Sequence, residues 1–128
     1  MVLKQLSIFV ENRPGAIAEP LGVLLEAGVN AVAFTVADTT DFGIIRMIVD
    51  DTDKAVRGLK NSGFTVNVSD VLGLTLEDKP GAFYHALKEL SDANVNIEYS
   101  YAFCGPKTGE VTAVLRVPDI NSVEFILK

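Results

Sequence analysis

Residues 11–30 of the chain read "ENRPGAIAEPLGVLLEAGVN", and residues 77–96 read "EDKPGAFYHALKELSDANVN". The second stretch begins 66 positions after the first and repeats its features: an acidic residue, a Pro-Gly pair, a run with helical spacing and a final Val-Asn. A sequence with an internal repeat is typically built from repeated structural units, so this stretch decides how the rest of the chain is divided.

The segments around the first stretch predict the order strand, helix, strand, strand, helix, strand. Residues 3–11 alternate between polar and apolar residues, which is the period of a strand. A helical stripe follows the Pro-Gly pair, at Ile17, Leu21, Leu24 and Leu25. Pro20 has no amide for a helical hydrogen bond, so this helix either holds Pro20 in its first turn or kinks there. Two strands rich in Val, Ile and Phe, a helix capped by Asp51 or Thr52, and the strand "FTVNV" complete the order.

The second half repeats this order up to its second helix, which begins in "INSVEFILK". The sequence then ends at Lys128, so we expect the second unit to lack its last strand. Because an unpaired edge strand favours aggregation, either the numbered sequence is truncated or something else covers that sheet edge. The βαββαβ order is that of the ferredoxin-like fold, an antiparallel sheet with both helices on one face. The prediction is an α+β protein of two ferredoxin-like units in tandem, residues 1–70 and 71–128, joined at "NVSDV" with almost no linker.

The composition disfavours several classes of partner. The net charge is −6 and the pI is near 4.6, which disfavours binding to nucleic-acid phosphates or to an anionic membrane surface. The apolar runs are too short to span a bilayer, and the alternating start is unlike a signal peptide. We therefore expect a cytoplasmic protein with neither nucleic acid nor a membrane as a partner.

Residues with catalytic or metal-binding chemistry are few. Cys104 is the single cysteine, so no second thiol is available for a disulfide or a metal pair. His85, the single histidine, lies about 200° around its helix from Phe83, so we expect it to face solvent. No Ser/His/Asp set or metal cluster has a credible spacing. The sequence therefore predicts no catalytic residue, no metal and no cofactor, and a protein that is not an enzyme.

The Pro-Gly loops do have the physics of a small binding site. N–H groups at the start of a helix lack intrahelical acceptors and favour an anion such as a carboxylate. Gly15 lets a ligand approach the backbone closely, and Asn12 offers both a donor and an acceptor beside it. An ordinary turn, in which the asparagines serve only as caps, explains the same residues.

The stretch "ENRPGAIAEPLGVLLEAGVNA" resembles the start of an ACT domain, an amino-acid-sensing regulatory module, and the whole chain resembles a tandem ACT protein. "ENRPG" followed by "GVN" is similar in particular to the serine-binding domain of phosphoglycerate dehydrogenase. The resemblance implies paired ACT units that hold an amino acid, serine or another, at their interface beside the first loop and helix.

The resemblance also assigns ligand-binding positions in both copies. Asn12 and Asn30 match the two positions whose side chains hold the amino acid. The matching loop of the first copy is Arg13, Pro14, Gly15 and Ala16. The matching residues of the second copy are Asp78, Lys79, Pro80, Gly81, Ala82 and Asn96. Asp78 replaces Asn12, and its carboxylate would repel a ligand's carboxylate but could hold its ammonium group.

The function predicted from these features is regulation through a free amino acid, bound between paired ACT units within the chain or between chains. The alternative is a dimerising interaction module, or a regulatory subunit of an amino-acid biosynthetic enzyme, with no ligand of its own. We expect a homodimer as the assembly.

Overall fold

The computed structural model describes residues 1–126, and Leu127 and Lys128, the end of the predicted last helix, lie outside the described residues. The elements are β1 (Val2–Glu11), α1 (Ala18–Ala27), β2 (Ala31–Asp38), β3 (Phe42–Val49), α2 (Thr52–Asn61), β4 (Thr65–Glu77), α3 (Ala82–Asp92), β5 (Tyr99–Cys104), β6 (Glu110–Arg116) and α4 (Ile120–Ile126). They form two compact units, a first unit of Lys4–Ser69 and a second unit of Met1–Leu3 with the chain from Asp70 onward. The predicted α+β fold of two ferredoxin-like units is confirmed.

The sheet of the first unit has the strand order β2-β3-β1-β4, and β3 is antiparallel to β1 and β2. Alternation along β1 places Leu6 and Ile8 on one face, where they lie opposite Met47 and Ile45 of β3. All four side chains are buried. Side chains of both helices join the same buried cluster, among them Leu24, Ala55 and Leu59. Both helices therefore pack on one face of this sheet, because that face carries the apolar stripe.

Helix α1 resolves the two alternatives for Pro20. The helix starts only two residues before it, so Pro20 lies in the first turn, where a missing amide leaves no hydrogen bond unmade. The predicted apolar stripe is partly wrong: Leu24 is buried, but Leu25 is 80% exposed and Ile17 is exposed as well. Gly28 ends the helix in the left-handed region, with a φ of 72°.

The second unit has its own core. Its strand order is β4-β6-β5, and β6 is antiparallel to both neighbours, with Leu72 opposite Leu115. These two residues belong to a buried cluster with Leu90, Val117 and Val123. No helix among residues 1–126 has the length and apolar character needed to cross a membrane.

Of the two alternatives for the sheet edge of the second unit, the structure shows an edge covered by another segment of the chain. Gly73 of β4 donates to the Met1 carbonyl at 2.8 Å and accepts from the Met1 amino group at 3.3 Å. A residue in such an exchanged pair directs both backbone groups to one side, so Met1 lies on the side of β4 away from β6. A Cβ at position 73 would lie 2.7 Å from Cδ1 of Leu3, so a larger residue there would have to push that side chain aside. Residues 1–3 thus take the place beside β4 where a final strand of the unit would pair.

The structure also differs from the prediction at "NVSDV". Two strands were expected to meet there, but β4 runs without a break through Ser69 and Asp70. The segment contains neither Gly nor Pro, and its Val residues favour the extended backbone. Arg116 supports it by donating from NH1 to the Asp70 carbonyl at 2.9 Å.

Candidate functional site

Each Pro-Gly loop forms a type II β-turn at the start of a helix. In the first unit the N–H of Ala16 donates to the Arg13 carbonyl at 3.2 Å, and in the second unit the N–H of Ala82 donates to the Lys79 carbonyl at 3.3 Å. The glycine inside each turn has a positive φ, 84° in the first loop and 88° in the second. Such a turn needs a positive φ at its third position, and Pro fixes the φ of its second position. The repeated Pro-Gly pair therefore produces the same backbone twice.

Each turn presents backbone N–H groups that have no hydrogen-bond acceptor among residues 1–126. In the first loop these belong to Gly15, Ile17 and Ala18. In the second loop they belong to Gly81, Phe83 and Tyr84. N–H groups at a helix start carry the partial positive charge of the helix dipole and bind carboxylates. Both loops are therefore suited to receive an anionic group.

Asn12 ties the first loop to the hairpin between β2 and β3. Its backbone N–H donates to the Asp41 carbonyl at 2.9 Å, and its side-chain Nδ2 donates to the carbonyls of Thr39 and Thr40, at 3.4 Å each. The side-chain Oδ1 has no donor in the described part of the chain. Asn12 therefore offers a ligand an acceptor, which suits an ammonium group, rather than the donor and acceptor that the sequence predicts.

Arg13 is held by two glutamates. Its NH2 donates to both carboxylate oxygens of Glu19 at 3.0 Å, and its Nε donates to Oε2 of Glu11 at 3.3 Å. Its NH1 donates to the Pro14 carbonyl at 3.5 Å. The hydrogen bond and the charge of Glu19, and to a smaller extent those of Glu11, raise the pKa of Arg13 above its ordinary value. Because every guanidinium nitrogen is engaged, Arg13 is not placed to bind a ligand's carboxylate while these contacts persist.

A cavity of about 150 Å³ lies beside the first loop. It is lined by Phe9, Val10, Glu11, Arg13, Ala16, Glu19 and Phe64. Ala16 is buried, so its side chain belongs to the cavity wall rather than to the exposed loop. Cavities of about this size accept a benzene-sized group. The first loop therefore combines a surface of unpaired N–H groups with space for a small side chain.

The second loop has different side chains on the same backbone. Lys79 pairs with Glu77 at 2.9 Å, and this contact lowers the pKa of Glu77. The backbone N–H of Asp78 donates to the Gly109 carbonyl at 2.9 Å. The exposed carboxylate of Asp78 has no partner among residues 1–126. The side chain that follows the strand is thus anionic here and neutral at Asn12.

His85 takes the position that Glu19 has in the first copy of the repeat, 66 residues earlier. Its side chain is exposed, as expected. The ring lies beside the second loop, 3.5 Å from the position that a Gly81 Cβ would take, and packs edge-to-face with Tyr84 at 5.4 Å between centroids. The second loop therefore has an imidazole where the first has the carboxylate that holds Arg13.

Asn12 and Asn30 lie at opposite ends of the first unit. The start of β3, at Phe42, pairs beside Asn12, and its end, at Val49, pairs beside Asn30. The length of β3 separates the two ends by roughly 23 Å at the rise of a strand. One unit therefore does not bring the two predicted ligand positions together.

The second unit separates Asp78 and Asn96 in the same way. Glu110, at one end of β6, pairs beside Asp78, and Arg116, at the other end, pairs with Tyr99, three residues after Asn96. Asn96 lines a cavity of about 240 Å³ at that end. The predicted ligand positions of each copy thus form two groups, one at each end of its sheet.

The far end of the first unit is more polar than the loop end. The N–H of Asn30 donates to Oδ1 of Asp50 at 2.9 Å, and its carbonyl accepts from the N–H of Asp50 at 3.1 Å. Beside this contact lies an open groove of about 710 Å³, lined by Lys4, Asp50, Asp51, Thr52, Asp53, Val56, Arg57 and Val68. This groove is larger than the cavity at the first loop, but it does not contain the repeated Pro-Gly turn.

Five residues of the first cavity were absent from the predicted site: Phe9, Val10, Glu11, Glu19 and Phe64. Glu19 could have been found by matching the repeat over its whole length, because its partner position holds the only histidine. Phe64 has no such signal, since it lies 48 positions beyond Ala16 and reaches the cavity only through the fold. Among residues 1–126, no group of three or more His, Cys, Asp or Glu side chains could hold a metal ion.

The chain matches a known family over nearly its whole length. The family model described as "ACT domain pair" matches residues 1–125. No curated protein matches the chain in sequence.

Several solved structures are similar to it. Protein BT0572 from Bacteroides thetaiotaomicron has a TM-score of 0.92 and 40% sequence identity, and the match covers 99% of this chain and 87% of that one. The ligand-free regulatory subunit of aspartate kinase from Thermus thermophilus has a TM-score of 0.73 at 15% identity, covering 99% and 93% of the two chains. The regulatory subunit of aspartate kinase from Thermus flavus has a TM-score of 0.62 at 13% identity, covering 98% and 92%. At these low identities, the similarity to the two Thermus proteins shows a shared fold and nothing more.

Proposed function

The chain belongs to the family of ACT domain pairs, and on this premise we propose that it is a regulatory protein that binds a free amino acid where two ACT units pair. The observation that supports this most is the first loop, where unpaired N–H groups of Gly15, Ile17 and Ala18 lie beside a cavity of about 150 Å³. The cytoplasmic location expected from the sequence, and the absence of a catalytic step, are parts of the same proposal.

The site needs a second unit, because Asn12 and Asn30 lie at opposite ends of the first. Strand β2 is the outer strand of the first unit's sheet, so one row of its backbone groups is unpaired. Its Val32, Phe34 and Val36 are exposed, and Phe34 is 51% exposed. A long apolar outer strand is a template for pairing with another chain. We therefore place the contact between two copies along β2.

Antiparallel pairing of two β2 strands would complete the site. In a two-fold contact the start of one strand faces the end of the other. Asn30 precedes the start of β2, and the hairpin that holds Asn12 follows its end. Asn30 of one copy would thus approach Asn12 of the other, and the homodimer would have two equivalent sites at its first loops.

The chemistry of the first loop matches a zwitterion. The loop N–H groups would receive the carboxylate of the amino acid. Oδ1 of Asn12, whose amide donors are already engaged, would accept from its ammonium group. Binding acts only through a difference in affinity between two packings of the protein, so the regulatory effect is a shift between dimer states.

Calorimetry of the full chain against each of the twenty amino acids tests this proposal. We expect at least one to bind, and Asn12→Ala to weaken it by about 1–3 kcal/mol, the cost of an unmade polar contact. Asn61→Ala, at the exposed end of α2, is the matched control and should bind as the parent does. No heat of binding from any amino acid would refute the proposal.

The dimer contact is tested separately by sedimentation. Phe34→Asp should shift the protein towards monomer and weaken amino-acid binding with it. Phe42→Asp is the control, because Phe42 is equally exposed but does not lie on the outer strand. Amino-acid binding of parental strength by a monomeric Phe34→Asp protein would place the site within one copy.

A second candidate function is an interaction module that regulates a biosynthetic enzyme by contact. Phe9 and Phe42 favour it, since both are exposed and are diagonal neighbours on the sheet face away from the helices. In this case Phe42→Asp would abolish regulation of the enzyme while no amino acid binds.

A further inference from the structure

We propose that the cavity beside the first loop selects an amino acid with an apolar side chain, and that Glu19 is the residue that excludes acidic amino acids. This inference rests on the proposed function and concerns its ligand. Glu19 acts on the ligand through Arg13, so it is a specificity-determining residue rather than a direct contact.

Among residues 1–126, Arg13 is the only cation that lines the cavity, and its guanidinium group is bound by Glu19. One guanidinium nitrogen, Nη2, lies 3.0 Å from both carboxylate oxygens of Glu19, and Nε donates to Oε2 of Glu11 at 3.3 Å. A carboxylate on a ligand's side chain would have to displace one that is already tethered in the correct position. With two glutamates and one arginine, the wall has a net charge of −1, which also repels an acidic side chain.

The rest of the cavity is suited to an apolar group. Val10 and Phe64 line it with apolar side chains, and Ala16 is buried beside them. The volume of about 150 Å³ fits a side chain up to the size of a benzene ring. Each methylene group buried against such walls raises affinity roughly fourfold, so larger aliphatic side chains should bind more tightly until the cavity is full. Serine, which the sequence resemblance suggests, would place a hydroxyl against these walls.

The second loop has no counterpart of the arginine that Glu19 holds in the first. His85 takes the place of Glu19, and Lys79 pairs with Glu77, on the strand before the loop. The selection is therefore a property of the first loop alone, and the Pro-Gly turn that both loops share does not provide it.

Calorimetry of the full chain with alanine, valine, leucine, phenylalanine, serine, aspartate and glutamate tests the selectivity. We expect affinity to rise from alanine to valine and leucine, and aspartate and glutamate to bind at least tenfold more weakly than leucine. Serine, aspartate or glutamate as the tightest ligand would overturn the inference while the proposed function stands. Silence from all twenty amino acids would refute the proposed function and the selectivity together.

Glu19→Gln isolates the role of the carboxylate. It keeps the shape of the side chain and releases Arg13, so it should raise the affinity for glutamate relative to that for leucine at least tenfold. Glu26→Gln, on the same helix and exposed, is the matched control and should change neither. A Glu19→Gln protein that is folded by its melting curve but gains no affinity for glutamate relative to leucine would overturn the inference.

Discussion

The first loop, Asn12–Ala16, and the second loop, Asp78–Ala82, have the same turn, the same left-handed glycine and matching unpaired N–H groups. They differ in their charged side chains. The first has an arginine held by two glutamates and a neutral asparagine, whereas the second has a lysine paired with one glutamate and an unpaired aspartate. The backbone of each loop is set by the Pro-Gly pair and the helix that follows, and these place no demand on the neighbouring side chains.

This difference shows that a repeated turn does not imply a repeated binding site. The turn and its N–H groups are present twice, but the cavity and the arginine held by Glu19 are features of the first loop. We expect the two loops to be alike in experiments that depend on the backbone and unlike in those that depend on side chains. The predictions below separate the two kinds.

The largest effect on stability should come from substituting the buried leucines of the helices, at which the two units are alike. Leu24 of α1 and Leu90 of α3 match across the repeat, and both are buried. Leu24→Ala and Leu90→Ala should each lower the free energy of unfolding by about 2–5 kcal/mol, through lost burial and the cavity left behind. Leu25→Ala, at a residue that is 80% exposed, should change it by about 0.5 kcal/mol or less. Urea unfolding measures all three, and a Leu25 variant as unstable as the other two would contradict the packing of α1.

Glycine substitutions in the two turns should also destabilise the protein equally, but by less than the leucine substitutions do. Gly15→Ala and Gly81→Ala place a side chain at φ values of 84° and 88°, which costs roughly 1–2 kcal/mol. A Cβ at position 81 would meet the His85 ring at an ordinary 3.5 Å, so the two losses should be similar. Gly22→Ala, inside α1 and in open space, should instead stabilise by about 0.4–1 kcal/mol. Unequal losses in the two turns, measured by urea unfolding, would show that their backbones are not equivalent.

Most of the fold was predictable because it depends on local periodicity. The alternation around Leu6 and Ile8 fixed both the strand and the face that its helices cover. The exposure of Leu25 was not predictable, because helical spacing shows which residues share a stripe but not how far the sheet extends beneath it. The partner of Gly73 was not predictable either, since Met1 reaches β4 through pairing between residues far apart in the sequence.

The candidate site likewise has features that could be predicted from the sequence and features that could not. The turn and its N–H groups follow from Pro-Gly and a helix start, so the loop positions could be predicted from four residues. The roles of the side chains could not be predicted. Arg13 was expected to contact the ligand but is bound by Glu19, and the amide donors of Asn12 are already bonded to the hairpin. These contacts depend on which side chains meet in space, and Phe64 reaches the cavity from another part of the chain. The finer resemblance to a serine-binding domain stays a prediction.

The first residue of each loop, Asn12 or Asp78, should contribute slightly different amounts to the free energy of unfolding. Asn12→Ala removes two long, exposed hydrogen bonds to the hairpin carbonyls and should cost about 0.5–1 kcal/mol of unfolding free energy. Asp78→Ala should cost close to nothing, since the carboxylate has no partner among residues 1–126. Thermal unfolding of both variants without ligand makes the comparison. A larger loss in Asp78→Ala would mean that the second loop depends on a contact of that side chain.

The smallest effect concerns pH and is confined to the second loop. Lys79 lowers the pKa of Glu77 below its ordinary value of 4.5, first through their hydrogen bond and then through charge. Because the unfolded chain takes up this proton at a higher pH than the folded one, the stabilisation is present above about pH 4.5 and is lost as the pH falls through the folded pKa. Lys79→Met should therefore raise the pKa of Glu77 towards 4.5 and flatten the fall in stability below that pH.

A carboxyl NMR titration of Glu77 measures this directly, with Lys60→Met, an exposed lysine of the first unit, as the control. The Glu77 carboxyl should titrate at a lower pH in the parent and the control than in Lys79→Met. The first loop has no equivalent test, since the raised pKa of Arg13 keeps its guanidinium charged across this whole range. If Glu77 titrated at the same pH in all three proteins, the Lys79 contact would be too weak in solution to distinguish the loops, and their difference would lie in Glu19 and Asp78 alone.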